Sequence, residues 1–408
     1  MSTLVTELDL PYMKHAFTRH DGIEKTRELA ESSWLAKTRI GYSVLSNKDC
    51  LAILKDPRWQ SPLNMLNELN PILNDEYMSK RRYNLGLLAG EEHKRLKKLL
   101  VPAFSHLKIE NTKPLMVKII EELLDSIAEQ GSADLVSDIF NRYPSLVLCS
   151  FLDISLSYAS IMDEWSSVVL GLYDVYSDTT MDQMLDLQNR VNTFTDEIIQ
   201  QKKLNPGDDM ISSLLSSTKD GDKLSDFEIS AILEMIMGAG IHTIKGQLSL
   251  SMAHLLQNQN HIDMVLQDND SINPLLEEIA RINPTARGTL RIATEDIEHS
   301  DVLFPKGTFV HVNLVSGNYD PFVFNDPDFV DLYRSDVSNK ILTFGAGIHH
   351  CVGMLLAKNE IAVALLSILN KFPDIKLQSE FIISKKTFLT TSVESLPVTY
   401  TPKDIVKQ

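Results

Sequence analysis

Ten residues near the C-terminus, Phe344-Gly-Ala-Gly-Ile-His-His-Cys-Val-Gly353, place one cysteine on a glycine-bent turn that opens an apolar segment. That arrangement presents a single sulfur to a metal ion. Cys351 is followed by Met354, Leu355, Leu356 and Ala357, then by Ile361, Ala362, Val363, Ala364, Leu365 and Leu366. The pattern predicts a helix over 352–371 that starts at the sulfur. Free N–H groups and the positive end of the helix dipole favour an anion there, so the thiol is expected to ionise below its ordinary pKa. Gly345 and Gly347 can take positive φ in the turn before the cysteine. Gly353 leaves room for a flat, bulky group, and Phe344 would cover the sulfur and keep water off it.

Two plainer readings compete. A lone cysteine is commonly a small buried hydrophobe. His349-His350-Cys351 also resembles a zinc cluster, but adjacent residues diverge and no second Cys or His pair stands at ligand spacing.

A second constellation, Ala239-Gly240-Ile241-His242-Thr243, lies in the most apolar stretch of the chain. A mid-helix threonine can turn its hydroxyl back to the carbonyl four residues earlier, here Ala239, and the neighbouring glycine tolerates the local opening. A third is Glu278-Ile-Ala-Arg281, an i, i+3 pair on one helix face. The same spacing recurs at Glu24 to Arg27 and Glu92 to Arg95, where solvated surface pairs are the natural reading. Context singles out the third copy: Pro284 ends its helix and Cys351 follows 73 residues beyond Glu278.

The elements that position these groups are mostly helical. Periodicity predicts helices over 44–55, 91–104, 110–129, 157–174, 181–203, 226–257, 274–283 and 352–371. Strands are predicted over 308–314 and near 38–43, 289–293 and 381–400. The run Ile229 to Ile241 is apolar around its whole circumference and interrupted by Glu234, so it reads as a helix in the middle of a globule. The fold class is mainly α with a small β portion. No linker, repeat or low-complexity tract divides the 408 residues, and a single domain over 1–408 is expected.

With Phe344, Gly347, Cys351 and Gly353 in the pattern F-x-x-G-x-x-x-C-x-G, the chain resembles the cytochrome P450 haem-thiolate monooxygenases in their soluble bacterial form. Gly345 and His349 fit the bacterial version. The resemblance runs through Asp56-Pro57, Asp208 to Leu215, Leu224 to Glu228 and every later motif in order. It implies the cytochrome P450 fold, haem b as cofactor, O2 as co-substrate, and Cys351 as axial ligand and sole protein ligand to the metal. Thr243 matches the alcohol that manages protons in oxygen activation, with Ala239 beside it.

The residue before that threonine is ordinarily acidic in the family, and here it is His242. Four readings stay open: an equivalent proton relay, an altered reaction, an anchor for an acidic substrate, or a histidine turned away to another partner. The resemblance gives the haem propionates to His93, Lys97, Arg291 and His349, with Lys97 standing where the family has an arginine. It also joins Arg334, in the segment Asn325 to Arg334, to Glu278 and Arg281 in a buried network. Tyr319 replaces a common arginine, which raises the expectation of a lost hydrogen bond.

Net charge is −16, which argues against nucleic acid as a partner. Residues 80–98 break the trend, with Lys80, Arg81, Arg82, Lys94, Arg95, Lys97 and Lys98 against Glu91 and Glu92. With Lys358, this strip is read either as a docking face for an acidic ferredoxin or flavodoxin, or as a solvated helix face. No reductase segment is read in the chain, so NAD(P)H electrons are expected through a separate ferredoxin or flavodoxin and its reductase, unless peroxide replaces them. Three cysteines suit no disulfide framework, and the N-terminus has neither a basic start nor an apolar run; the expected location is cytoplasmic, with no membrane partner. The leading function is oxygen insertion into a mid-sized hydrophobic metabolite, with pocket residues such as Leu87, Leu88, Thr285, Thr289, Phe388 and Leu389. The alternatives are peroxide-driven oxidation or radical coupling at the same haem, and a haem-binding sensor without turnover.

Overall fold

The computed structural model describes residues 2–13, 22–62, 80, 83–171, 180–219, 221–334, 337–384 and 389–403. Helices dominate. Those that bear on the site are α1 (Gly90–Leu100), α2 (His106–Asp125), α3 (Ala159–Gly171), α4 (Met181–Leu204), α5 (Asp226–Gly240), α6 (His242–Gln257), α7 (Ile272–Ile282) and α8 (Met354–Lys371). Helix α5 starts on a capping box in which the Ser225 hydroxyl accepts from Glu228 N–H and the Glu228 carboxylate accepts from Ser225 N–H. Buried apolar side chains from all of these helices form one continuous core, and α6 and α8 pack against each other within it.

A smaller core lies under a five-stranded sheet of β1 (Leu35–Thr38), β2 (Gly41–Val44), β3 (Trp59–Gln60), β4 (Gly288–Ala293) and β5 (Phe309–Asn313). The strand order is β1-β2-β5-β4-β3, with β5 parallel to β2 and antiparallel to β4. The rest of the β structure is short: among the described residues, C-terminal strands cover Ile382–Ile383, Val393–Ser395 and Pro397–Thr399 of the 381–400 region.

Two boundaries differ instructively from expectation. The strand placed near 38–43 is a hairpin, because Gly41 has φ of 144° and a Cβ there would lie 2.3 Å from Phe309 O. The helix placed over 226–257 is interrupted at Ile241, which caps α5 and opens α6. Helices Gly22–Ser32, Tyr143–Phe151 and Gln259–Gln267 carry no expectation in the sequence reading.

Candidate active site

Cys351 sits on the loop before α8, whose N-cap is Gly353. Its N–H donates to Phe344 O at 3.0 Å, closing the turn. Gly345 and Gly347 take φ of 67° and 68°, the left-handed values that the turn requires. At Gly347 a Cβ would also lie 2.3 Å from Leu54 O, whereas at Gly353 the nearest protein atom would be Phe104 at 4.0 Å. The protein itself therefore leaves space beside Gly353. The Phe344 ring lies 5.6 Å from Lys358 Nζ.

Cys50 and Cys149 are buried, but Cys351 is exposed, and its exposure is to a cavity that it lines with Ala239 and Thr243. The expected depression of its pKa does not hold in the protein alone. Burial raises the thiol above its ordinary value, and the Gly353 N–H and the Lys97 ammonium, which pull it down, are outweighed. A coordinating metal deprotonates such a thiol outright.

Basic side chains gather on the same cavity. His93, Lys97 and His349 line it; the His93 and His349 rings meet edge to face at 5.1 Å. Lys97 Nζ donates to Ile348 O at 2.5 Å, and His349 Nδ1 pairs with Leu85 O at 3.0 Å. Arg291, on β4, is buried, donates to Thr289 Oγ1 at 2.9 Å and Leu290 O at 2.8 Å, and is pushed down to about 10 by burial. His349 is pushed down to about 4, first by burial and then by Arg291 and His93. Among the described residues none of these four groups forms an ion pair with an acid. A sulfur on one wall, the Lys97 and Arg291 cations, and two imidazoles pushed toward their neutral form fit a flat, dianionic metal macrocycle such as haem b, and the acid on the cavity wall, Glu234, is paired with Lys80.

Thr243 Oγ1 donates to Ala239 O at 2.7 Å, where the helix is broken at Ile241. His242 does not line the cavity. Its Nε2 meets Ser167 Oγ on α3 at 2.9 Å, and Ser167 in turn donates to Asp163 O. Burial, reinforced by the neighbouring Lys245, pushes His242 down to about 4, so it is neutral near pH 7. The histidine is turned to Ser167, the fourth of the readings above.

Glu278 and Arg281 are 1% and 0% exposed. Arg281 Nε and one terminal nitrogen grip the two carboxylate oxygens at 2.8 and 2.9 Å, and Arg334 Nε adds a contact at 3.2 Å. The remaining donors of Arg281 reach Asn318 O, Pro327 O and Phe329 O. Tyr319 loses no bond: its hydroxyl donates to Ile282 O at 3.0 Å and its ring lies under Arg27 at 4.5 Å. Arg27 also pairs with Asp328, so the first of the other two E-x-x-R copies is more than a solvated pair.

The basic strip is dispersed. Lys80 and Lys97 line the cavity, and Arg95 is paired with Glu92, Asp222 and Glu228. Lys94 and Lys358 are paired with Glu91 and Glu277. Arg81, Arg82 and Phe388 lie outside the described residues. Leu87 belongs to the core, while Leu85 and Gly86 line the cavity. Trp165 and Val169 of α3 also line the cavity, within the 165–195 segment that the family resemblance assigns to the pocket, whereas Glu234 of α5 lies just outside the assigned 235–243. The available signal was Glu234, a charge inside the most apolar stretch.

The sequence matches the family described as Cytochrome P450 over residues 67–394. It is 30% identical over 372 residues to cytochrome P450 CYP107DY1 of Priestia megaterium, covering 88% of this chain and 89% of that one. It is 29% identical over 318 residues to 6-deoxyerythronolide B hydroxylase of Saccharopolyspora erythraea, covering 77% of each. The fold matches that of P450BioI, solved in complex with hexadec-9Z-enoic acid ligated acyl carrier protein, with a TM-score of 0.82, 25% identity, and coverage of 93% of this chain and 100% of that one. The protein with the Cys351 turn, the Thr243 notch and the Glu278–Arg281–Arg334 network belongs to the cytochrome P450 family.

Proposed function

We propose that the chain, as one domain, is a haem-thiolate monooxygenase in which Cys351 would hold the haem iron and Thr243 would handle protons, acting on a mid-sized hydrophobic metabolite. The observation that carries this reading is that Cys351 and the Thr243–Ala239 notch open onto one cavity. Haem b supplies the binding and reductive activation of O2, with electrons from NAD(P)H through redox partners. Cys351 donates electron density from its sulfur. The Thr243 hydroxyl, tethered to Ala239 O, holds a proton at the cavity wall. Lys97 and Arg291 would neutralise the propionates, with the His93 and His349 imidazoles beside them, and Phe344 and Gly345 shape the loop that aims the sulfur, while Gly353 leaves the space beside it open.

His242 acts as a positioning residue: its bond to Ser167 holds the broken turn from which Thr243 projects. The electron donor we propose is a ferredoxin or flavodoxin, the location cytoplasmic, and the product a hydroxylated metabolite, which the similarity to 6-deoxyerythronolide B hydroxylase supports. The test is spectroscopic. The reduced carbonyl complex of the wild type is expected to show the red-shifted Soret band of thiolate ligation, and Cys351→His to lose it while retaining haem. A thiolate band that survives in Cys351→His would overturn the assignment.

A further inference from the structure

A separate cavity of about 480 Å³ opens at the C-terminal end of α6 and shares no lining residue with the one that Cys351 lines. Two histidines stand on it. His254 is in the last turn of α6, and His261 is in the first turn of the helix Gln259–Gln267. Asn258 makes the corner between the two helices and is braced from both sides. Its Nδ2 donates to His254 O at 2.7 Å, and its carbonyl accepts from His261 N–H at 2.9 Å.

His254 Nε2 and His261 Nδ1 lie 3.2 Å apart, while the ring centroids are 5.3 Å apart and the ring planes differ by 15°. The nitrogens are closer than the centroids, so the rings meet edge to edge and turn a nitrogen each toward the space between them. Two imidazole nitrogens on one tetrahedral zinc ion, each about 2.0 to 2.1 Å from it, stand about 3.3 Å from each other. Burial, reinforced by His261, pushes His254 down to about 4, and burial lowers His261 as well. Both rings are therefore neutral near pH 7, the form in which imidazole binds a metal.

We propose that His254 and His261 together form a site for a divalent ion of the zinc, copper and nickel class. The ion takes the place of the proton that the two nitrogens share, and that proton moves to the far nitrogen of its own ring, so none is lost overall. The far nitrogens, His254 Nδ1 and His261 Nε2, are engaged by no other group among the described residues, which leaves them able to carry it. Imidazole suits these ions, whereas Ca²⁺ and Mg²⁺ seek oxygen. Among the described residues no group of three or more His, Cys, Asp or Glu forms a metal cluster, so water completes the coordination, as in an open site. Gln257, Gln259 and Asn260 on the same cavity offer amide oxygens to those waters, and Asp328 adds a negative charge. A bound ion clips the end of α6 to the helix that follows, at the opposite end of α6 from Thr243. The inference is independent of the haem-thiolate reading.

The test uses the purified, tag-free haem protein titrated with ZnCl2 by calorimetry, with MgCl2 as the control. Zn²⁺ is expected to bind and to raise the unfolding midpoint, and Mg²⁺ to do neither. His254→Gln and His261→Gln are each expected to weaken Zn²⁺ binding by about tenfold or more, since losing even a partner outside the ligand set has that effect. Both variants should also lose the Zn²⁺-dependent rise in midpoint while keeping the thiolate carbonyl band. In the wild type, saturating Zn²⁺ is expected to protect His254 and His261 from diethylpyrocarbonate, read by peptide mass; this decides the matter if a variant does not fold. No Zn²⁺ binding, undiminished affinity in the variants, or equal modification of the two histidines with and without Zn²⁺ overturns the proposal and leaves the pair as an N–H···N hydrogen bond alone.

Discussion

Glu278 and Glu234 are both buried on helices and both paired with a cation, but their surroundings are built to different ends. Glu278 is held by two arginines and by Asp331 N–H, and those arginines turn their remaining donors on backbone carbonyls between Asn318 and Phe329. Burial alone would raise its pKa, yet these partners outweigh it and the carboxyl is held below its ordinary value. Glu234 is held by Lys80 and by Gln188, and it lines the cavity. A charge network that closes on itself fixes a scaffold, whereas one that ends at a cavity fixes part of its wall.

The largest effect is expected where the closed network is broken. Arg281→Ala strands the Glu278 carboxylate at a cost of about 3 to 5 kcal/mol, and denaturant unfolding together with haem content should show little folded holoprotein. If Arg281→Ala unfolds at the wild-type midpoint, the contrast between the two glutamates disappears.

A third buried acid sharpens the comparison from the opposite side. Glu360 on α8 is 4% exposed, its Oε1 has no hydrogen-bond partner among the described residues, and burial pushes it well above the ordinary carboxylate range. A carboxyl whose folded pKa is raised contributes stability that is present below its unfolded value, about 4.3, and lost as pH climbs toward the folded value. Glu360→Gln should therefore flatten the decline in unfolding free energy between about pH 5 and pH 8. An unchanged slope would mean that Glu360 has a partner like that of Glu278.

The smallest effect on stability falls beside the cavity. His242→Ala removes one hydrogen bond to Ser167, worth about 1 kcal/mol, while product formed per NAD(P)H consumed should drop because Thr243 loses its fixed turn. Unchanged yield in both His242→Ala and His242→Asp would remove His242 from the mechanism.

The Cys351 turn was legible in the sequence because its chemistry is local: the glycines that permit positive φ and the residue they serve lie within nine positions. The Thr243–Ala239 bond is legible for the same reason, being an i to i−4 contact. His242 was not, since its direction depends on Ser167, 75 residues away on another helix. Lys80 shows the opposite error. Counting neighbouring charges grouped it with Lys94 and Lys98, but folding carries it to Asn192, Ser230 and Glu234, away from that strip. Local charge density is a poor guide to a surface when the chain turns between the charges.

The run Asp226–Gln257 has consequences for biosynthesis. It is long and apolar enough to cross a membrane by length and composition, and in the folded protein it is mostly buried. One of the helices that covers it, α8, begins 97 residues later in the chain. At about 5 to 20 residues per second, the ribosome leaves this greasy segment without that cover for roughly 5 to 20 s. During that interval Glu234 and Lys245, with Asp226 and Glu228 at the start of the run, are ionised groups that make insertion into a bilayer unfavourable, so the same glutamate that faces the cavity also helps the nascent chain stay on course to a globule.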